Sequence, residues 1–263
     1  MIEAVVNVSE GRDLSVVRRI GDAAEGLLLD THSDPFHHRS VYTLAGEPEE
    51  LEAATLALAR RTVALVDLSG HRGVHPRLGA VDVVPFVPYG APYEVALAAR
   101  DRFAAALSSD GVPCFLYGPE RTLPEIRRRA WVSLSPDLGP RSPHPTAGAA
   151  CVGVRGVLVA YNLVVEATLE RAREIARALR GPSVRALGLP LGEEVQVSFN
   201  LIEPDRVGPA QIYDEVEQLA PIRRSELVGL VPRSVLEQIP ETRWRQLDLA
   251  EERTVESRVA ARR

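Results

Sequence analysis

Residues 157–202 read VLVAYNLVVEATLERAREIARALRGPSVRALGLPLGEEVQVSFNLI, and the way their period changes decides the fold. The run 157–163 is apolar and β-branched, as a buried strand requires. Over 166–180 the pattern turns helical, with Leu169, Ala172, Ile175 and Leu179 three and four residues apart on one face. Stretches 184–189 and 195–202 return to strand character around a Gly192-Glu193 turn. Pro209 then opens a helix over 209–219, 225–231 reads as a strand, and Pro232 opens a helix over 233–239. The order βαββαβ is the ferredoxin-like plan.

Toward the N-terminus the same grammar recurs. Residues 2–8 form a strand, and Leu14, Val17, Ile20 and Ala24 fall at helical spacing. Two strands, 27–30 and 40–45, flank a polar loop. Pro48 opens a helix lined by Leu51, Leu58 and Leu65. A strand over 81–87, a helix opened by Pro92, a strand over 113–117 and a short basic helix over 123–129 follow. This half reads as an enlarged relative of the same plan. The expected fold class is therefore α/β (α+β): two ferredoxin-like-related subdomains, 1–156 and 157–263, with mixed sheets carrying helices on their outer faces. Two such layers can pack sheet to sheet. Periodicity vanishes between Ser133 and Gly148, where Pro136, Pro140, Pro143 and Pro145 cluster, the mark of a linker or a functional loop. From Glu241 the chain is polar, a docked helix or a frayed tail.

Composition narrows the function classes. The 263 residues carry a net charge of −5, unlike a general nucleic-acid binder. All 31 basic residues are Arg, so Schiff-base chemistry and a P-loop lysine are excluded. Arg grips carboxylates and phosphates in two-pronged fashion, although codon bias is the plainer source of so many. Cys114 and Cys151 are isolated and suggest neither a disulfide framework nor a zinc clip. Neither a signal peptide nor an apolar run of spanning length is read, so a reducing, cytoplasmic protein with no membrane partner is expected. A homodimer is the prior for assembly.

Five of the six His fall between His32 and His75. His71-Arg-Gly-Val-His75 has helical metal-site spacing, but Gly73 and Pro76 argue against a helix, and no metal is assigned. The segment 71–82 is either a solvated turn or the mouth of a cleft carrying His and Arg. In the loop 31–39, Arg39 can bind a carboxylate bidentately or form a surface ion pair. Asn7, Asn162 and Asn200 each sit in or beside a strand, where Asn is disfavoured; for Asn7 a turn is the plainer reading.

Six motifs occur in an order that resembles the glutamate formimidoyltransferases: Asn7-Val-Ser-Glu-Gly-Arg12, His37-His-Arg-Ser-Val-Tyr-Thr43, His75-Pro-Arg-Leu-Gly-Ala-Val-Asp82, Pro136-Asp-Leu-Gly-Pro140, Val197-Ser-Phe-Asn-Leu201 and Ser225-Glu-Leu-Val-Gly-Leu-Val-Pro232. The resemblance runs from residue 1 to about 240. It implies two α/β subdomains meeting near Val157 and transfer of a formimino group from N-formimino-L-glutamate to N5 of tetrahydrofolate, in histidine degradation and one-carbon metabolism. By position it implies His75 as catalytic acid and base. It implies Gly139, Pro140, Arg141, Ser142, Pro143, His144, Pro145, Thr146, Ala147 and Gly148 as the folate loop, lining a cleft between the halves. Arg39 falls in the family's Arg-containing motif and is assigned a substrate carboxylate. The helical insert usual after Leu-Pro-x-Ile-Arg is short here, and the loop holds no aromatic to stack on a pterin. Two other classes stay open: a folate- or pterin-binding homologue without transfer, and an amidine or formamide hydrolase using His75 and Asp82. A catalytic imidazole near its free pKa of ~6.5 predicts a pH–rate limb in that range, and His71→Ala is expected to cost much less than His75→Ala.

Overall fold

The structure is a computed structural model that describes residues 1–24 and 26–262. The chain divides into two units, Met1–Gly156 and Val157–Arg263.

The first unit opens with β1 (Ile2–Val8), α1 (Leu14–Gly21), β2 (Leu28–Asp34), β3 (Arg39–Gly46), α2 (Pro48–Leu65) and β4 (Val81–Val87). That is βαββαβ, with the antiparallel order β2-β3-β1-β4. The enlargement follows as α3 (Tyr93–Ser109), β5 (Cys114–Tyr117), α4 (Leu123–Arg129) and β6 (Ala150–Val154). Strands β6 and β5 extend the sheet beyond β4, and both of their pairings are parallel. Alternation along the strands gives the sheet two apolar faces. Ile2, Ala4, Val6 and Val8 of β1 are buried with Ile20, Leu58 and Phe103 from α1, α2 and α3. Val83, Phe115 and Cys151 face the other way and pack with Ile126 of α4. Helix α4 is therefore the one that lies across the opposite face, the side on which the site is built. Its start is fixed by the Thr122 hydroxyl, which accepts from the Glu125 amide, and by Pro124 in the first turn.

The second unit, β7 (Val159–Val165), α5 (Leu169–Ala178), β8 (Val184–Leu191), β9 (Glu194–Leu201), α6 (Pro209–Glu217) and β10 (Ile222–Val228), is ferredoxin-like in full. Its sheet runs β10-β7-β9-β8 and is antiparallel throughout, whereas the first sheet is mixed. The end of the chain is docked: Leu247 and Leu249 join the second core between the short helices α7 (Arg233–Leu236), α8 (Glu241–Trp244) and α9 (Val255–Ala261).

Three local expectations need correction. The polar stretch 31–39 is a tight hairpin, with β2 reaching Asp34, β3 starting at Arg39, and the Asp34 carboxylate capping the amides of Phe36 and His37. As the edge strand, β2 tolerates polar residues that a hydrophobicity reading discounts. Strand β6 escaped because Ala-Cys-Val-Gly-Val lacks alternation. The last strand begins at Ile222, three residues before the expected start.

Candidate active site

The motif from Asn7 to Arg12 builds the floor. Asn7 Oδ1 accepts from Nε and Nη2 of Arg39 at 3.2 and 3.0 Å, and its own amide donates to the Val5 carbonyl at 2.9 Å. Glu10 Oε1 accepts from the amides of Gly11, Arg12 and Asp13 and from His38 Nε2 at 3.1 Å. Burial alone would raise the Glu10 pKa; those amides and His38 hold it below its ordinary value. Gly11 cannot be another residue, since a Cβ there would lie 2.4 Å from the Asp34 carbonyl.

The centre is Asp82, the second residue of β4. Its side chain is fully buried and accepts from four directions. Arg39 Nη1 donates at 2.6 Å, Arg127 of α4 donates through both terminal nitrogens at 2.8 and 2.5 Å, and the Leu78 amide donates at 2.7 Å. Burial opposes the charge, but the two guanidiniums hold the carboxyl far below the usual range. Asp82 is thus held as a fixed anion between the two arginines.

His75 stands beside this cluster. Its Nδ1 lies 2.8 Å from the Pro76 carbonyl, which can only accept, so Nδ1 carries the proton and Nε2 holds the lone pair. Burial, then the charges of Arg39 and Arg127, push its pKa down to about 3. The imidazole is neutral at neutral pH and is a base, which corrects the expectation of a titration near 6.5 in the free protein. His37 meets it edge to face at 6.1 Å.

His71 is not a bystander. Its ring stacks on His38 at 3.9 Å, and Arg77 Nη1 lies against both of its ring nitrogens, close to Nδ1 and 2.8 Å from Nε2. Burial and Arg77 lower its pKa to about 4, so it serves as a neutral acceptor.

Arg39 is placed at the start of β3, not in a loop, and its side chain is 11% exposed. Gly139 to Pro143 and Pro145 are exposed; the Thr146 carbonyl accepts from the Leu68 amide, and Ala147 to Ala149 are tied to the segment leading from His75 into β4. The Ala80 amide donates to the Ala147 carbonyl at 2.9 Å, and the Ala149 amide to the Leu78 carbonyl at 3.0 Å. The crossing is so close that a Cβ on Gly79 would sit 2.1 Å from the Ala149 carbonyl, and one on Gly148, at φ +67°, 2.3 Å from that of Leu78. The loop thus ends on the segment that carries His75. His144 Nδ1 accepts from the Ala147 amide at 3.1 Å and is spent on the loop itself; Arg141 is exposed.

Asn162 donates to Glu226 at 2.8 Å in the second unit, where Asn200 is exposed. Cys114 and Cys151 are buried free thiols, and burial pushes both up to about 12, so neither is a nucleophile. The sequence reading missed Arg127 and Arg77 and undervalued Asn7. The available signals were an Asn inside a strand, an Asp inside an apolar run, and a helix carrying three consecutive Arg.

The family model of the formiminotransferase domain, N-terminal subdomain, matches residues 1–155. A glutamate formimidoyltransferase of Streptococcus pyogenes serotype M1 is 31% identical, covering 92% of each chain. One from Thermoplasma acidophilum is 32% identical over 90% of this chain and 89% of its own. The formimidoyltransferase-cyclodeaminase of Sus scrofa is 34% identical over 90% of this chain and 51% of its own. The chain thus spans about half the length of the cyclodeaminase-type relatives it matches.

Proposed function

The chain belongs to the formiminotransferase family, and from that premise we propose that it transfers a formimino group from N-formimino-L-glutamate to N5 of tetrahydrofolate, with His75 as general acid and base. The observation that carries this reading is a neutral imidazole beside a buried carboxylate shared by two arginines.

The bond that forms joins N5 to the amidine carbon, and the bond that breaks joins that carbon to the glutamate nitrogen. N5 loses a proton and the departing nitrogen gains one. Nε2 of His75 takes the first and returns it to the second, so the residue ends the cycle as it began. Neither a metal nor a thiol is needed for that balance. Arg39, with one N–H on each terminal nitrogen beyond its bonds to Asn7 and Asp82, orients a donor carboxylate. The exposed part of the loop 139–148 offers backbone amides and Arg141 to the folate. The test is donor consumption by the full chain with and without added tetrahydrofolate. Loss only with folate supports transfer, loss without it supports a hydrolase, and saturable folate binding without turnover supports a binding protein.

Arg39→Lys is expected to lower kcat/KM by about 10–100-fold, because an ammonium cannot span Asn7 and Asp82 and hold a carboxylate as well. An unchanged kcat/KM would return Arg39 to a purely structural ion pair.

The pH dependence follows from the arginines. In the free protein His75 is already deprotonated down to about pH 3, so kcat/KM shows no limb near 6.5. A bound carboxylate offsets Arg39 and Arg127 and raises the His75 pKa, so the acid limb of kcat lies at higher pH than that of kcat/KM. Coincident limbs near 6.5 in both profiles would contradict this.

A further inference from the structure

The motif Pro136-Asp-Leu-Gly-Pro140 leads into loop 139–148, and it does so along β5, the edge strand of the first sheet. An edge strand presents N–H and C=O groups that must find partners outside the ladder. At Cys114 those partners are backbone. Its amide donates to the Leu138 carbonyl at 2.9 Å, and its carbonyl accepts from the Asp137 and Leu138 amides at 2.9 and 3.2 Å. Two residues on, at Leu116, side chains take over. The Leu116 amide donates to Asp137 Oδ2 at 2.8 Å, and Arg121 Nη1 donates to the Leu116 carbonyl at 2.8 Å. The two side chains also close on one another, Nη1 to Oδ2 at 2.6 Å and Nη2 to Oδ1 at 3.0 Å. The ion pair thus continues the edge pairing by one further step.

Exposed ion pairs contribute little, because two long side chains must be ordered to make them. This one is two-pronged, its side chains are only 17% and 23% exposed, and its arginine stands on a turn fixed in its own right. The Arg121 carbonyl accepts from the Gly118 amide at 2.9 Å. The neighbouring Glu120 carboxylate takes both terminal nitrogens of the buried Arg100 of α3, at 2.7 and 2.8 Å. Past the pair, Gly139 turns the chain off the edge at φ +84°, where a Cβ would lie 3.3 Å from the Val112 carbonyl. The other end of the loop is fastened by Ala147 and Ala149 to the segment leading from His75 into β4. Residues 139–143, exposed, run between the two fastenings.

We infer that Arg121 and Asp137 are positioning residues for the acceptor, their ion pair fixing the entry of loop 139–148 in the form that meets tetrahydrofolate. The inference rests on the proposed reading of that loop as the folate contact. A loop fastened at both ends has less freedom to lose when its ligand arrives, so the bridge acts on acceptor affinity without touching the ligand. The bonds that hold Asp82, Arg39 and His75 involve neither residue, and α4 keeps its own cap at Thr122. The donor and the proton transfers are therefore left as they are.

The test uses the full chain and the variants Arg121→Gln and Asp137→Asn. Each is expected to raise the KM for tetrahydrofolate about 10-fold, with kcat and the KM for the donor within about two-fold of wild type. The double variant should lose no more than the worse single one, because either substitution breaks the same bridge. Arg121→Lys keeps the charge but not the fork, so its KM should fall between; it also serves, with thermal unfolding, where a Gln or Asn variant does not fold. Trypsin gives a readout that needs no turnover: cleavage after Arg141 should be faster in the variants, and tetrahydrofolate should slow it in the wild-type chain. An unchanged KM for tetrahydrofolate in both variants overturns the inference. So does a fall in kcat with both KM values unmoved, which is what a purely structural pair gives. The failures are separable. A chain that transfers nothing but binds tetrahydrofolate by calorimetry, with an affinity that falls about 10-fold in the variants, overturns the proposed reaction alone. Transfer with the acceptor KM unmoved overturns this inference alone, and a wild-type chain that binds no tetrahydrofolate overturns both.

Discussion

His75→Ala is expected to lower kcat by about 10²–10⁴-fold, the span that a positioned general acid and base contributes, with folate affinity unchanged. The size follows from the geometry. Nδ1 is fixed on the Pro76 carbonyl, so Nε2 is the ring nitrogen left to exchange a proton. Asp82 is ionised between two arginines and is fully buried; His37 lies 6.1 Å away, ring to ring. His71→Ala is the control. It releases Arg77, so its effect should fall on the KM of the donor while kcat changes far less. Equal losses of kcat in the two variants would contradict the assignment of His75.

Asp82→Asn should destabilise the first unit by about 3–5 kcal/mol, because it leaves two guanidiniums facing one another with no anion between them. For a unit of this size that corresponds to a fall in Tm on the order of 10 °C. The pH dependence has a definite sign. The folded Asp82 pKa is depressed, so its contribution is complete above the ordinary carboxylate value of about 3.9 and is lost only as pH falls through the lower folded value. The difference in Tm between the two proteins should therefore stay constant from neutral pH down to about pH 5 and close only in stronger acid. Equal melting at neutral pH would show that the arginines find other partners.

Much of the fold was legible because its units obey simple periods. The helix over 123–129 and the strands 2–8 and 81–87 have the bounds their patterns indicate, and the second βαββαβ unit was read in order. What failed was governed by context. Thr31 to Asp34 form an edge strand that needs no apolar face, and the small residues of Ala150–Val154 are buried by neighbours on both sides, a feature no local period announces. The site was legible in part. His75 and Arg39 stand out as residue types in odd places. Arg127 and Arg77 do not, because the meaning of Arg127 depends on sharing Asp82 with Arg39, and that of Arg77 on the carbonyls of His37 and His75 that hold it. Arg127 is 45 residues from Asp82 in sequence, and it reaches it only because α4 crosses the opposite face of the sheet.

The most direct test follows the transferred carbon itself. N-Formimino-L-glutamate labelled with ¹³C at the formimino carbon is incubated with the full chain, with and without tetrahydrofolate, and the label is traced by NMR. The account predicts that the label moves to N5 of the folate with release of one equivalent of glutamate, only when folate is present, and that His75→Ala abolishes the movement. Label appearing in formamide or formate at the same rate without folate, or remaining on glutamate while folate binds saturably, would contradict it.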